Sequence, residues 1–103
     1  MKVRGYRIEL GEINARLEEH KKVKTTFTVA RDIQGRKQLV AYVVMKKGHE
    51  GEVNGRELRE YLQETLAEYM VPMHYVFVSA LPQTASGKVD QRALPEPQIG
   101  EVK

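Results

Sequence analysis

Apolar residues recur at Leu10, Ile13 and Leu17, the i, i+3, i+7 spacing that lines one face of a helix. Glu12 falls early in that segment, where the positive end of the helix dipole favours an anion. Glu12–Arg16 and Glu18–Lys22 are spaced as i, i+4 ion pairs. From Lys24 to Arg31 the period changes to two, with Phe27 and Val29 on one side and Thr26 and Thr28 on the other, which predicts a half-buried strand. Asp32-Ile33-Gln34-Gly35 supplies turn residues. Leu39 to Met45 is almost continuously apolar, as a central strand covered on both faces would be. The two strands therefore read as an antiparallel hairpin.

Lys46 to Gly51 is polar and carries glycine, so it reads as a loop. Asn54 followed by Glu57 matches a capping box. The stripe Leu58, Tyr61, Leu62, Leu66 and Tyr69 predicts a second helix running on until Pro72. Tyr75 to Val78 reads as a third strand, and from Ala80 the chain is loop-like, with prolines at 82, 95 and 97. At the other end, Val3 to Glu9 reads as a short two-stranded excursion with Gly5 in its turn. Met1-Lys2-Val3-Arg4 already alternates like a strand, which suggests an imposed start. Together these elements predict an α+β two-layer domain. It has an N-terminal β-hairpin, about three strands packed with two main helices, and a C-terminal loop and tail.

Composition narrows the function classes. At 103 residues there is room for one core. The formal charge of +3 is mild, and no run of like charge suggests a nucleic-acid arm or an anionic-membrane patch. No apolar run nears the roughly 20 residues that span a bilayer. The absence of cysteine excludes disulfides and thiolate metal sites and fits a reducing, cytoplasmic setting. His20, His49 and His74 lack metal-site spacing.

The segment with most chemical content is Gln83-Thr84-Ala85-Ser86-Gly87-Lys88-Val89-Asp90. Its Gly-Lys pair is not a P-loop, because Pro82 stands where the first glycine is needed and Val89 where Ser or Thr is needed. On composition alone Lys88 is a solvated lysine beside a turn glycine. It could also act as a placed cation on a carboxylate or phosphate. Arg4 and Arg7 flank Gly5 and read either as a polar hairpin rim or as phosphate contacts.

Read together, three segments resemble a known family. Arg4-Gly5-Tyr6-Arg7-Ile8-Glu9-Leu10-Gly11-Glu12-Ile13 resembles the eighth core motif of nonribosomal peptide synthetase adenylation domains. Leu66-Ala67-Glu68-Tyr69-Met70-Val71-Pro72 resembles the ninth and Ser86-Gly87-Lys88-Val89-Asp90 the tenth, in the family's order. The resemblance implies a C-terminal lid over residues 1–93 and, from 94 to 103, the start of a linker to a carrier domain. It implies ATP with Mg, bound mainly by an N-terminal adenylation core, an amino-acid substrate, and a peptidyl carrier protein bearing phosphopantetheine. It implies no nucleic-acid or membrane partner and no metal held by the lid itself.

The resemblance makes Lys88 the catalytic lysine of aminoacyl-AMP formation. Arg7 and Gly87 would lie near the nucleotide, and Arg4, Gly5 and Tyr6 would line the pantetheine tunnel. Leu94-Pro95-Glu96-Pro97 resembles the LPxP linker element, with Leu94 and Pro97 packing back on the lid. The family's hinge residue would lie at or before the chain start. Departures are Asn14 for Glu, expected on the helix surface, Ala67 for Pro, Ser86 for Asn and Gln91 for Arg. The lid of an acyl-CoA synthetase is the nearest alternative, and the Glu9-Leu10-Gly11-Glu12 run and the LPxP-like tail argue against it. A non-catalytic binding module is the third reading, against which stands the lack of an aromatic-plus-basic strand.

Overall fold

The computed structural model describes residues 2–3, 6–7, 9–33, 35–49 and 51–94, and only the backbone at 2, 3, 6, 7 and 33. Its elements in chain order are β1 (Lys2–Val3), β2 (Tyr6–Arg7), α1 (Leu10–Glu18), β3 (Val23–Ile33), β4 (Arg36–Met45), α2 (Gly55–Gln63) and β5 (His74–Phe77). One 3-10 turn covers Glu68–Met70 and another covers Gln91–Ala93. β1 and β2 pair antiparallel, and the main sheet has the order β3-β4-β5.

β4 is central because both its faces are apolar, and its side chains divide by parity. Leu39, Ala41, Val43 and Met45 join Ile13 and Leu17 of α1 and Leu58 and Leu62 of α2 in one core. Val40 and Tyr42 point the other way, to Val29 and Leu94, with Phe27, Val76, Val78, Leu81 and Val89 packed around them. The helices thus cover one sheet face and the segment from Leu81 to Leu94 covers the other. β5 runs parallel to β4, Val40 opposite His74, so the chain must cross over between them, and α2 forms the crossover. Gly55 opens α2 tight against β5, where an added Cβ would lie 3.1 Å from the Tyr75 Cβ.

Several local expectations change. α2 ends at Gln63 rather than running to Pro72. No glycine or proline marks that stop. Tertiary packing imposes it, because breaking the helix lets Leu66, Met70 and Val71 all reach the core, and Pro72 is fully buried too. Tyr69, expected on the buried stripe, is thereby turned outward and is 45% exposed. The cap holds: the Glu57 N–H donates to Asn54 Oδ1 at 2.8 Å.

The threonine face of β3 is buried as well as the phenylalanine face, since α1 lies across it. Asn14 accordingly is not a surface residue. Its Oδ1 accepts from Thr28 Oγ1 at 2.7 Å and from Thr26 Oγ1 at 3.2 Å, satisfying hydroxyls that the helix shuts off from water. Glu18 Oε2 accepts from the Thr26 N–H at 2.9 Å, and Lys22, beyond the helix end, pairs with Glu52 at 3.1 Å. Arg16 reaches Glu19 at 3.5 Å. The i, i+4 pairs read from spacing thus give way to strand contacts and a closer neighbour.

Two histidines are held neutral. His74 Nε2 meets Gln38 Oε1 at 2.9 Å, while its buried Nδ1 has no hydrogen-bond partner among the described residues, and burial lowers its pKa below the ordinary 6.5. His20 is lowered by burial first and by the Lys22 charge second, and its Nδ1 accepts from the Lys22 N–H. The unfolded chain therefore binds more protons than the folded one just below the ordinary histidine pKa. This contribution to stability is full above about pH 6.5 and is lost as the pH falls through the lowered folded values. Thermal denaturation between pH 7.5 and 5.5 should show a falling midpoint, and a His20→Gln, His74→Gln double variant should show a shallower fall.

Candidate functional site

Lys88 sits in a small hairpin, not a slack loop. Gln83 and Val89 form an antiparallel bridge. The Thr84 N–H donates to the Lys88 carbonyl at 2.7 Å, and the Gly87 N–H donates back to the Thr84 carbonyl at 2.9 Å. Below them the Asp90 N–H donates to the Pro82 carbonyl at 2.8 Å. The hydroxyls of Thr84 and Ser86 lie 2.9 Å apart across the turn. This is a three-residue hairpin whose last loop residue takes the left-handed conformation, which is why glycine stands there. Gly87 has φ 88°, and an added Cβ would meet nothing within 4 Å. Backbone conformation, not space, makes the demand. Gly87→Ala should cost roughly 1–2 kcal/mol and dislodge Lys88, with Gly87→Asn milder; thermal denaturation checks the order.

The hairpin is fastened to the sheet on both sides, by Leu81 before it and Val89 after it. Asp90 then accepts from the Arg92 N–H at 3.1 Å and opens the last 3-10 turn, which delivers Leu94 to the sheet at 5% exposure. Lys88 itself is exposed, and among the described residues no carboxylate pairs with it. An exposed ammonium on a braced loop can be placed against an anion supplied from outside. It cannot form a catalytic centre alone.

The other expected site residues lie elsewhere. Arg4 and Gly5 fall outside the described residues, as does Pro97. Tyr6 and Arg7 are placed only as strand β2, opposite Val3 and Lys2. β2 feeds α1, which lies on the helix-covered face of the sheet, while Lys88 and Leu94 share the opposite face. The eighth- and tenth-motif segments therefore attach to different faces of one sheet. The Thr84–Ser86 hydroxyl contact and the Pro82–Asp90 closure were not expected from sequence, although the turn-forming residue types there are a signal.

No group of three or more His, Cys, Asp or Glu side chains among the described residues could hold a metal ion, and none of the described helices is long and apolar enough to cross a membrane. The residues present fit one cationic contact to a nucleotide or carboxylate, through Lys88 beside the side-chain-free Gly87.

Among the described residues, then, a small α+β module presents the exposed Lys88 from a braced hairpin. Residues 12–88 match the AMP-binding enzyme C-terminal domain, and the chain belongs to that family. It is 50% identical over 99 residues to one of the linear gramicidin synthase proteins of Brevibacillus parabrevis, covering 94% of this chain and 1% of that protein. It is likewise 50% identical to tyrocidine synthase 3 of the same organism, covering 95% of this chain and 2% of that one. Among solved structures, a four-domain nonribosomal peptide synthetase bound to AMP and glycine matches at a TM-score of 0.83 and 34% identity, over 94% of this chain and 7% of that one. The amide bond synthetase McbA from Marinactinospora thermotolerans matches at 0.78 and 25%, over 87% and 18%. The chain thus spans only a few per cent of the curated relatives it matches.

Proposed function

We propose that this chain is the mobile lid of an amino-acid-activating adenylation domain in a nonribosomal peptide synthetase. The observation that supports this branch is near-half identity over almost the whole chain to peptide synthetases, 50% to the gramicidin and tyrocidine enzymes. A Mycobacterium tuberculosis fatty acyl-CoA synthetase shares the fold at 22% identity.

In the proposed reaction the substrate carboxylate attacks the α-phosphate of ATP and pyrophosphate leaves. Two anions must approach, so Lys88 would lie between the carboxylate and the ribose end of the nucleotide, offsetting their repulsion and fixing the line of attack. Gly87 would let the hairpin tip come close, and Arg7 would contact phosphate. ATP with Mg would be held mainly by the core. In the second half-reaction the lid would turn its other side inward, with Arg4, Gly5 and Tyr6 along the path of a carrier protein's phosphopantetheine.

The test is ATP–pyrophosphate exchange across an amino-acid panel with a matching core restored upstream. Exchange by the joined protein, with none from the lid alone and little from the core alone, is the expected result. Undiminished exchange by the core alone would remove the lid from the adenylation step.

A further inference from the structure

Thr84 stands opposite Lys88 in the hairpin. The bond from the Thr84 N–H to the Lys88 carbonyl and the neighbouring Gln83–Val89 bridge set that register. Val89 packs inward, on the cluster that covers the sheet face opposite the helices. Side chains alternate along a strand, so Lys88 points away from the sheet. Residues directly opposite each other share a face, so Thr84 points with it, the two Cβ atoms about 5 Å apart. Both residues are exposed. Thr84 is also tied to the tip, because its hydroxyl lies 2.9 Å from that of Ser86.

The main-chain bonds close the hairpin but do not fix the direction in which the Lys88 stem leaves it. Among the described residues no carboxylate pairs with Lys88 to aim it. The hydroxyl bond supplies a constraint of the right kind. Threonine has one side-chain torsion besides the hydroxyl rotor, so holding Oγ1 on Ser86 also fixes where the Thr84 methyl stands beside the lysine stem. The same bond spans Ala85 and stiffens the turn that ends in Gly87. We propose that Thr84 is a positioning residue for Lys88, its hydroxyl bond to Ser86 setting the direction from which the ammonium meets an anion. This deepens the proposed function and rests on the reading that Lys88 acts in adenylate formation. Thr84 acts through the lysine and touches no reacting atom itself.

The test is ATP–pyrophosphate exchange by an adenylation domain that carries this lid. Thr84→Val keeps the branched shape and removes the hydroxyl. It is expected to lower kcat by about tenfold and to leave KM for ATP and amino acid within about twofold, because misplacing a charge-stabilising group acts on the transition state. Thr84→Ser should recover most of the loss. In a Lys88→Ala background Thr84→Val should cost nothing further, since the two act as one unit. An unchanged kcat, a loss carried by KM alone, no recovery in Thr84→Ser, or the same loss without Lys88 overturns the assignment. Should Thr84→Val fail to fold, Ser86→Ala removes the same bond from its other end. It should reproduce the loss, and an undiminished kcat there overturns the assignment. In the 103-residue chain alone, amide order parameters at Ser86, Gly87 and Lys88 should fall in Ser86→Ala, and unmoved values overturn the tether. Exchange that ignores Lys88→Ala would instead be the failure of the proposed function, so the two failures are told apart.

Discussion

Replacing Lys88 by alanine in an adenylation domain that carries this lid is expected to lower ATP–pyrophosphate exchange by roughly 10²–10³-fold, the usual loss when one preorganised charge-stabilising group is removed. The fold should survive, because Lys88 is exposed and its hairpin is closed by backbone bonds that alanine keeps. Lys88→Arg should recover little, since a planar guanidinium on a longer stem does not reproduce a compact ammonium. Transfer of a preformed aminoacyl-adenylate to the carrier's thiol should change far less, as that step is assigned to the lid's other side. Preserved exchange in Lys88→Ala would sink the assignment. Equal loss of both steps would mean that the variant damages the lid as a whole.

Tyr42→Ala should give the largest loss of stability. Tyr42 is fully buried on the central strand, beneath Leu94 and against Arg31. Truncating a large buried aromatic costs about 3–5 kcal/mol, the transfer term plus the cavity left behind. Domains of this size are stable by only about 5–15 kcal/mol, so the thermal midpoint should fall by more than about 10 °C. The helix-side core does not include Tyr42. Deuterium exchange should therefore rise first at Leu81, Val89 and Leu94, and uniform exchange across both faces would contradict the division into two clusters.

Local pattern was enough for most of the scaffold. The i, i+3, i+7 stripe located α1, the two-residue alternation located β3, and the unbroken apolar run of Leu39 to Met45 marked β4 as central. What pattern missed depends on contacts far apart in sequence. The end of α2 carries no local signal and follows from burying Met70 and Val71. Asn14 looks solvent-facing on a helical wheel, but threonine hydroxyls from β3 make it an acceptor. The parallel pairing of β5 depends on the crossover, which no window of residues contains. At the proposed site, only the order of three motifs sets Lys88 apart from the other lysines of the chain. Its bracing from Pro82 to Asp90 comes from backbone bonds that, apart from the glycine at 87, leave no mark on residue identity within the turn.

The parity of β4 has a consequence for recombination. Adjacent residues of this strand serve different cores, Leu39 and Ala41 the helix side, Val40 and Tyr42 the tail side. A single inserted or deleted residue between 39 and 45 would exchange the two sets and empty both cores at once. Chimeras that graft this lid onto another core should keep their junctions out of that stretch. The exposed turn around Lys47 and Gly48, where Gly48 has φ 89°, is a position where an added residue is absorbed locally. A library with insertions at each position should show a sharp trough across β4 and recovery at that turn.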